Sequence, residues 1–457
     1  MEVKNNRSSN KQFNHRIEKG FLFFVMLFAL AVSLFIAYSL IKSHPTDSTQ
    51  TLTDNLENST VTSSVVSEPE FVNTYATVIS TGDIMVHEPQ LDGAYVASSG
   101  KYDFSDIFVQ TEPYFKAADL AVANLEVTFA GNDGRNYSGY PVFNCPDSLA
   151  NSIKKSGLNL ILTANNHSYD TGLHGFMRTQ EVLRKKGIEY TGTRTDETTK
   201  PYVIKEINGI KIGIADFTYE TEGGDSSRKY LNGIILSEEA SPLINSFSYP
   251  RIEEFYETAG AMIQEMKENG AEFTLFYIHW GDEYKTEANS WQKNIAQQLS
   301  NRGLDMIIGS HPHVIEPIEL VHSEGGDHTT ICLYSTGNAV SNQRQERMDS
   351  CPSGHTEDGL LISFTLEKNK DGVSLCDLDI IPTWVDKFWN GSGYRYTIYP
   401  LEKANDAATK YNLSDTVSAR AKRSYNRTVE IIAKGLTACQ KHIGCDITFK
   451  NIPKEDK

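Results

Sequence analysis

The stretch Phe273-Thr274-Leu275-Phe276-Tyr277-Ile278-His279-Trp280-Gly281 decides the fold class. A run rich in large apolar residues passes directly into a histidine. The same pattern returns where Met306-Ile307-Ile308 leads into Gly309-Ser310-His311-Pro312-His313. Short apolar runs closed by glycine read as buried strands. Side chains just past the C-terminal ends of such strands leave the sheet edge, where open α/β folds keep their sites. A lone histidine there reads as an ordinary core or surface residue. Three of the 12 histidines at such positions read as a metal centre.

Other apolar runs end in the same way. Asp83 follows Thr77–Gly82, and Asn124 and Glu126 follow Leu120–Ala123. Asn165, Asn166, His167 and Asp170 follow Leu158–Ala164. Carboxylates, carboxamide oxygens and neutral imidazoles form a hard-to-borderline donor set. No cysteine lies in these motifs, which excludes a structural thiolate zinc site. A carboxylate with imidazoles on either side suits two divalent ions about 3.5–4 Å apart.

From Tyr75 onward, short apolar runs alternate with amphipathic helical stretches, which predicts an α/β chain layered α-β-β-α. Helical spacing runs from Leu173 to Lys186 and ends at Gly187. It recurs over Ile252–Met266 and at Trp291, Ile295 and Leu299, whose aromatic and methionine positions read as core. Asn208-Gly209, between Tyr202–Ile207 and Ile210–Ala215, is a two-residue hairpin signal. A second antiparallel pair is expected from Gly359–Leu366 and Val373–Ile381, and both pairs are assigned to the second sheet. After Pro382 the aromatic residues Trp384, Phe388, Trp389, Tyr394, Tyr396 and Tyr399 cluster, and a charged, helix-prone tail follows. The expected domain is therefore 74–385, with 386–457 as an appended segment.

The first part of the chain has a different character. Phe21–Ile41 carries no charge and is long enough for a bilayer core of about 30 Å. Lys4, Arg7, Lys11, Arg16 and Lys19 precede it, so 1–20 is expected to be cytoplasmic. The apolar stretch is longer than the about 7–15 residues of a signal-peptide core, and it reads as an uncleaved transmembrane helix. Residues 42–73 have the Ser/Thr-rich composition of a solvated linker. The expected product is a single-pass protein of the cell membrane whose C-terminal domain is extracellular.

The 457-residue chain has a net charge of −16, which excludes nucleic acid as a partner. An anionic polymer is compatible with that charge if metal ions reverse the local field. Arg135, Arg194, Arg344 and Arg347 lie in predicted loops and are candidates to assist. The six cysteines face an oxidising compartment if the domain is extracellular, and Cys439 and Cys445 lie close enough to close a small loop. Their connectivity is open.

The ordered motifs Gly82-Asp83-Ile84-Met85, Asn124-Leu125-Glu126, Ala164–Asp170, His279–Tyr284, Gly309–Val314 and Tyr334–Asn338 resemble the bacterial poly-γ-glutamate capsule-synthesis family, CapA-type. That family is similar to calcineurin-like metallophosphoesterases. The likeness covers about Tyr75 to Pro382. It implies a four-layer metallophosphoesterase-like sandwich with two divalent ions, of manganese, iron or zinc. Asp83 and His313 would serve the first ion, Asn166, His279 and His311 the second, and Glu126 would bridge. His167 would be the general acid, with Asp170 as the second catalytic residue. Asn124, Asn165, Glu283 and Asn338 are the substrate-binding candidates. The first motif departs from the Asp-x-His that the superfamily implies, because Met85 stands in the imidazole position. His87 lies two residues further on.

The implied role is poly-γ-glutamate synthesis or export, with the polymer (or another anionic polymer) and the subunits of a membrane synthase complex as partners. The alternative is an active cell-surface metal-dependent phosphoesterase or polymer hydrolase. Protease added to cells stripped of their wall is expected to release a fragment beginning within 42–71. A globular part cleaved only after the membrane is opened would contradict the orientation.

Overall fold

A computed structural model describes residues 72–134 and 136–449. The expected membrane helix at 21–41, most of the linker and Arg135 lie outside them. No helix among the described residues is long and apolar enough to cross a membrane.

Two mixed β-sheets carry the fold. The first contains β1 (Thr74–Ile84), β2 (Leu120–Leu125), β3 (Leu160–Leu162) and β4 (Glu189–Thr191), all parallel. The second contains β5 (Val203–Ile207), β6 (Ile210–Tyr219), β7 (Ser246–Phe247), β8 (Phe273–His279), β9 (Met306–Ser310), β10 (Ile318–His322) and β11 (Thr329–Leu333). The chain then returns to the first sheet with β12 (Asn338–Val340), β13 (Asp358–Asn369), β14 (Gly372–Trp389) and β15 (Tyr394–Pro400). The first sheet is ordered β15-β14-β13-β1-β2-β3-β4, with β12 on the end of β1. The second is ordered β7-β6-β8-β9-β11-β10, with β5 on β6.

Strand alternation shows how the sheets stack. Val78, Leu120 and Val122 of the first sheet share one buried cluster with Ile212, Leu275, Tyr277 and Ile308 of the second. Their sequence neighbours Ile79, Ala121 and Ala123 turn outward. There they meet α1 (Glu88–Ala94), α2 (Glu112–Ala117), α3 (Ser148–Ser156) and α4 (Gly172–Lys185). Phe276 and Ile278 turn outward from the second sheet onto α5 (Ile252–Glu268) and α6 (Ser290–Ser300). Period-2 side-chain direction therefore builds an α-β-β-α stack. A hydrogen bond between the hydroxyls of Ser80 and Tyr277 crosses the inter-sheet core.

Several expectations are refined by this arrangement. The Asn208-Gly209 hairpin forms, with both residues left-handed at φ 51° and 79°, as a type I′ turn requires. The expected second hairpin also forms, but in the first sheet. Thr74–Thr81 pairs antiparallel with Leu361–Lys368, which draws β13 and β14 away from β5 and β6. Trp291 is 41% exposed, while Ile295 and Leu299 of the same helix are buried. Its ring lies beside Tyr249 at the protein surface.

The boundary drawn at 385/386 falls inside β14, which continues to Trp389. The long helix α7 (Asp415–Ile443) packs on β14 of the first sheet and β10 of the second. Its Ile432, Leu436 and Cys439 complete the inter-sheet core. Trp384 and Tyr396 of the aromatic cluster are buried, whereas Trp389 and Tyr394 pair edge-to-face on the surface. All six cysteines, including Cys439 and Cys445, are free thiols.

Because Leu436 is fully buried between the sheets, Leu436→Ala is expected to cost about 2–5 kcal/mol in urea unfolding. A loss below about 0.5 kcal/mol would make α7 an appendage rather than part of the core.

Candidate metal centre

Five strand ends from both sheets meet at one rim. Asp83 leaves β1 at a break in register with β2, between Thr81 and Asp83. Gly82 makes that kink possible, because a Cβ there would lie 1.8 Å from the Gly337 carbonyl oxygen. Gly309 plays the matching part at the end of β9, where a Cβ would lie 1.8 Å from the Tyr334 carbonyl oxygen. The turn after β9 then holds His311 at φ 99° and His313 at φ 59°. Left-handed backbone costs a non-glycine residue about 1–3 kcal/mol, and it is tolerated where function fixes the geometry. Here it brings the His313 imidazole and the His311 backbone N–H to Asp83.

Glu126 sits at the centre. It is fully buried, and neither carboxylate oxygen makes a hydrogen bond. Its Oε1 lies 3.8 Å from His279 Nε2 and 4.0 Å from His167 Nε2. Donor atoms of Asp83, Glu126 and His279 all fall within 4.8 Å of one another. Asn166 Oδ1 lies 2.8 Å from His279 Nε2. Two donors on one ion, each about 2.1 Å from it, stand roughly 3 Å apart. The Asn166–His279 spacing therefore suits a shared cation. His311 Nδ1 is buried and without a hydrogen bond, and its ring stacks near those of His279 and Tyr219.

The remaining polar groups orient these donors. Asn124 Nδ2 donates to Asp83 Oδ1 at 2.7 Å, and Asn124 Oδ1 accepts from Asn165 Nδ2 at 3.0 Å. The Ser310 hydroxyl lies 2.9 Å from His279 Nδ1, leaving Nε2 for the centre. Asn338 Oδ1 lies 3.1 Å from His313 Nδ1, while its amide donates to the carbonyls of His313 and Thr356. His313 Nδ1 is also 3.7 Å from Asp83 Oδ2. Asn124, Asn165 and Asn338 are thus buried orienting groups. Glu283 is exposed at the rim, near enough for its charge to act on Glu126.

Electrostatics follow from burial. Burial above all, and then the nearby Asp83 charge, push the Glu126 carboxyl well above the usual range. Burial, reinforced by neighbouring imidazoles, pushes His279 and His311 well below theirs. Neutral imidazoles are the form that binds a divalent cation, whereas the raised Glu126 carboxyl gives up its proton on binding one. The donor set and the unpartnered oxygens of Glu126 both fit one.

His167 stands apart from the donors. Its Nδ1 lies 2.8 Å from Asp170 Oδ2, which also accepts from the Phe143 backbone N–H at 2.7 Å. Phe143 meets the His167 ring edge-to-face. Asn232 donates to Asp170 Oδ1 at 3.2 Å, from the turn of a short ribbon pairing Tyr230–Leu231 with Ile234–Ile235. Neither Phe143 nor Asn232 was singled out in the sequence, although Asn232-Gly233 carries the same turn signal as Asn208-Gly209.

Met85, in the departing motif, is buried in the core outside the first sheet and takes no part in the centre. His87 does approach the site, packed edge-to-face on Phe143. Its Nδ1 accepts from the Asn342 backbone N–H at 3.3 Å, and burial pushes its pKa down to about 4. Of the candidate arginines, Arg194 lines a separate cavity, Arg344 is fully buried against Glu357, and Arg347 is exposed.

Comparison with known proteins gives a consistent picture. The family model described as bacterial capsule synthesis protein PGA_cap matches residues 77–343. The PGA biosynthesis protein CapA of Bacillus subtilis is 29% identical over 64% of this chain and 68% of its own length. The capsule biosynthesis protein CapA of Bacillus anthracis is 25% identical over 68% of this chain and 67% of its own length. A solved calcineurin-like phosphoesterase, YfkN of Bacillus subtilis, is 15% identical, covering 79% of this chain and 99% of that one. Its TM-score of 0.36 is too low to carry an argument.

His279→Ala and His311→Ala are each expected to lower bound divalent metal in elemental analysis. Met85→Ala should leave metal content unchanged while lowering thermal stability, since Met85 packs in the core. Unchanged metal in both histidine variants would overturn the centre.

Proposed function

The chain belongs to the bacterial capsule synthesis protein family PGA_cap, and from that membership we propose a metal-binding, membrane-anchored component of poly-γ-glutamate synthesis or export. The observation that carries the reading is one of position. The matched segment 77–343 contains the whole buried cluster from Asp83 to Asn338. The apolar segment 21–41 supports placing the domain on the outer face of the membrane, beside the synthase subunits. Asp83, Glu126, Asn166, His279, His311 and His313 are the proposed holders of two divalent ions. Such ions would supply Lewis acidity toward a carboxylate, phosphoryl or carbonyl oxygen.

The residues around the donors have distinct work. Asn124 and Asn165 hold Asp83 and the 164–170 turn in register. Asn338 and Ser310 each engage the Nδ1 of a histidine, His313 and His279. Tyr219 and Phe143 wall the imidazoles off from water. A binding role needs no more than this.

The His167–Asp170 pair favours a second reading, hydrolysis of a phosphoester or of the polymer. Asp170 against Nδ1 fixes the ring and aims Nε2 toward Glu126. That is the arrangement of a general acid poised to donate a proton to a leaving oxygen.

Complementation of a capsule-negative deletion strain tests the first reading. Glu126→Gln, expressed at the wild-type level, is expected to leave the strain without capsule, and normal capsule would contradict the reading. For the second, His167→Ala should retain metal but lose about 10²–10⁴-fold in phosphodiester turnover. Equal turnover in variant and wild type would remove His167 from the chemistry.

A further inference from the structure

A cavity of about 400 Å³ lies on the outer face of the second sheet, between the ends of β6 and β7 and the start of α5. It is separate from the metal centre. Glu220 and Ser248 line the cavity, and their chain neighbours Tyr219 and Tyr249 pack together. Tyr219 also contacts His311, with tilted rings whose centroids are 4.8 Å apart.

The lining divides by chemistry. Phe217, Phe247, Phe255 and Met262 form an apolar side. Arg194, Lys229 and Arg251 form a cationic one. The counter-charges are unevenly placed. Glu220 lies 3.1 Å from Arg251 and 3.7 Å from Lys229, and the mostly exposed Glu254 lies 3.6 Å from Arg251. Arg194 has no carboxylate at ion-pair distance among the described residues. Its guanidinium donates only to neutral oxygens, those of the Asn245 side chain and the Pro242 backbone. Two carboxylates thus line the cavity beside three cations, with Asp196 and Glu197 acting on Arg194 from beyond ion-pair distance.

We propose that this cavity is a binding site for an organic carboxylate on a short aliphatic stem, with Arg194 taking the carboxylate and the phenylalanines taking the stem. A guanidinium fork matches a carboxylate in two parallel hydrogen bonds. A bare inorganic anion would leave the apolar side unused. Resting on the proposed function, the ligand is a γ-linked glutamate segment, whose free α-carboxylates and main-chain methylene pairs supply both features. Tyr219, next in the chain to Glu220 and in contact with His311, links the cavity to the metal centre as a second foothold for the same chain.

Calorimetric titration of the full-length protein with a γ-linked glutamate tetramer tests this. Arg194→Gln is expected to bind about tenfold or more weakly than wild type, and Arg194→Lys to fall between the two. Equal binding by wild type and Arg194→Gln overturns the site. So does loss of binding in Glu126→Gln with Arg194→Gln unaffected, which would put the tetramer at the metal centre. Inorganic phosphate displacing the tetramer at equal concentration overturns the carboxylate assignment. A wild type that does not bind the tetramer overturns the proposal but leaves the capsule reading to its own complementation test.

Discussion

Glu126 sets the constraint on which the rest of the site depends. Its carboxylate is fully buried, with neither oxygen hydrogen-bonded and Asp83 close by. An isolated buried carboxylate is costly, so such a group is protonated, paired or bound to metal. Among the described residues no lysine or arginine lies at ion-pair distance from Glu126. The surroundings offer His279 and His311, which burial keeps neutral, and the carboxamide of Asn166. A divalent cation satisfies all of these groups at once. The kink at Gly82, the close approach at Gly309 and the left-handed His311 and His313 all bring donors to that point.

The support for this arrangement extends far into the fold. Asn338, which engages His313, also donates to the Thr356 carbonyl. The adjoining Glu357 accepts from the Trp384 indole and pairs with Arg344 and Arg420. Asp358 forms a two-point pair with Arg427 of α7. A polar path therefore runs from α7 to His313 of the candidate centre, and α7 also fills the core between the sheets. Buried pairs of this kind hold geometry more than they add net stability, because the desolvation of each charge offsets most of the attraction.

Much of this was legible in the sequence. Strand ends could be read because apolar runs stop abruptly at polar residues, and those stops mark the rim. Asn208-Gly209 gave its turn because few residue pairs accept two left-handed conformations. Partner choice was less visible. Alternation within β13 and β14 says that one face is buried, but not which sheet supplies the neighbouring strand, so the hairpin was assigned to the wrong sheet. Trp291 fits the helical spacing of Ile295 and Leu299, yet it sits at the edge of the apolar stripe and stays half exposed. Met85 shows the limit of reading a motif by position, since its side chain packs with the outer core. The groups around His167 came from distant segments, Phe143 and Asn232, whose meeting depends on tertiary structure alone.

Anomalous diffraction from crystals of the protein, collected across the absorption edges of manganese, iron and zinc, tests the central claim most directly. The account predicts an anomalous peak within coordination distance of Glu126 and of His279 Nε2. A well-ordered site without such a peak, with Glu126 protonated and hydrogen-bonded to a neighbouring side chain, would contradict it.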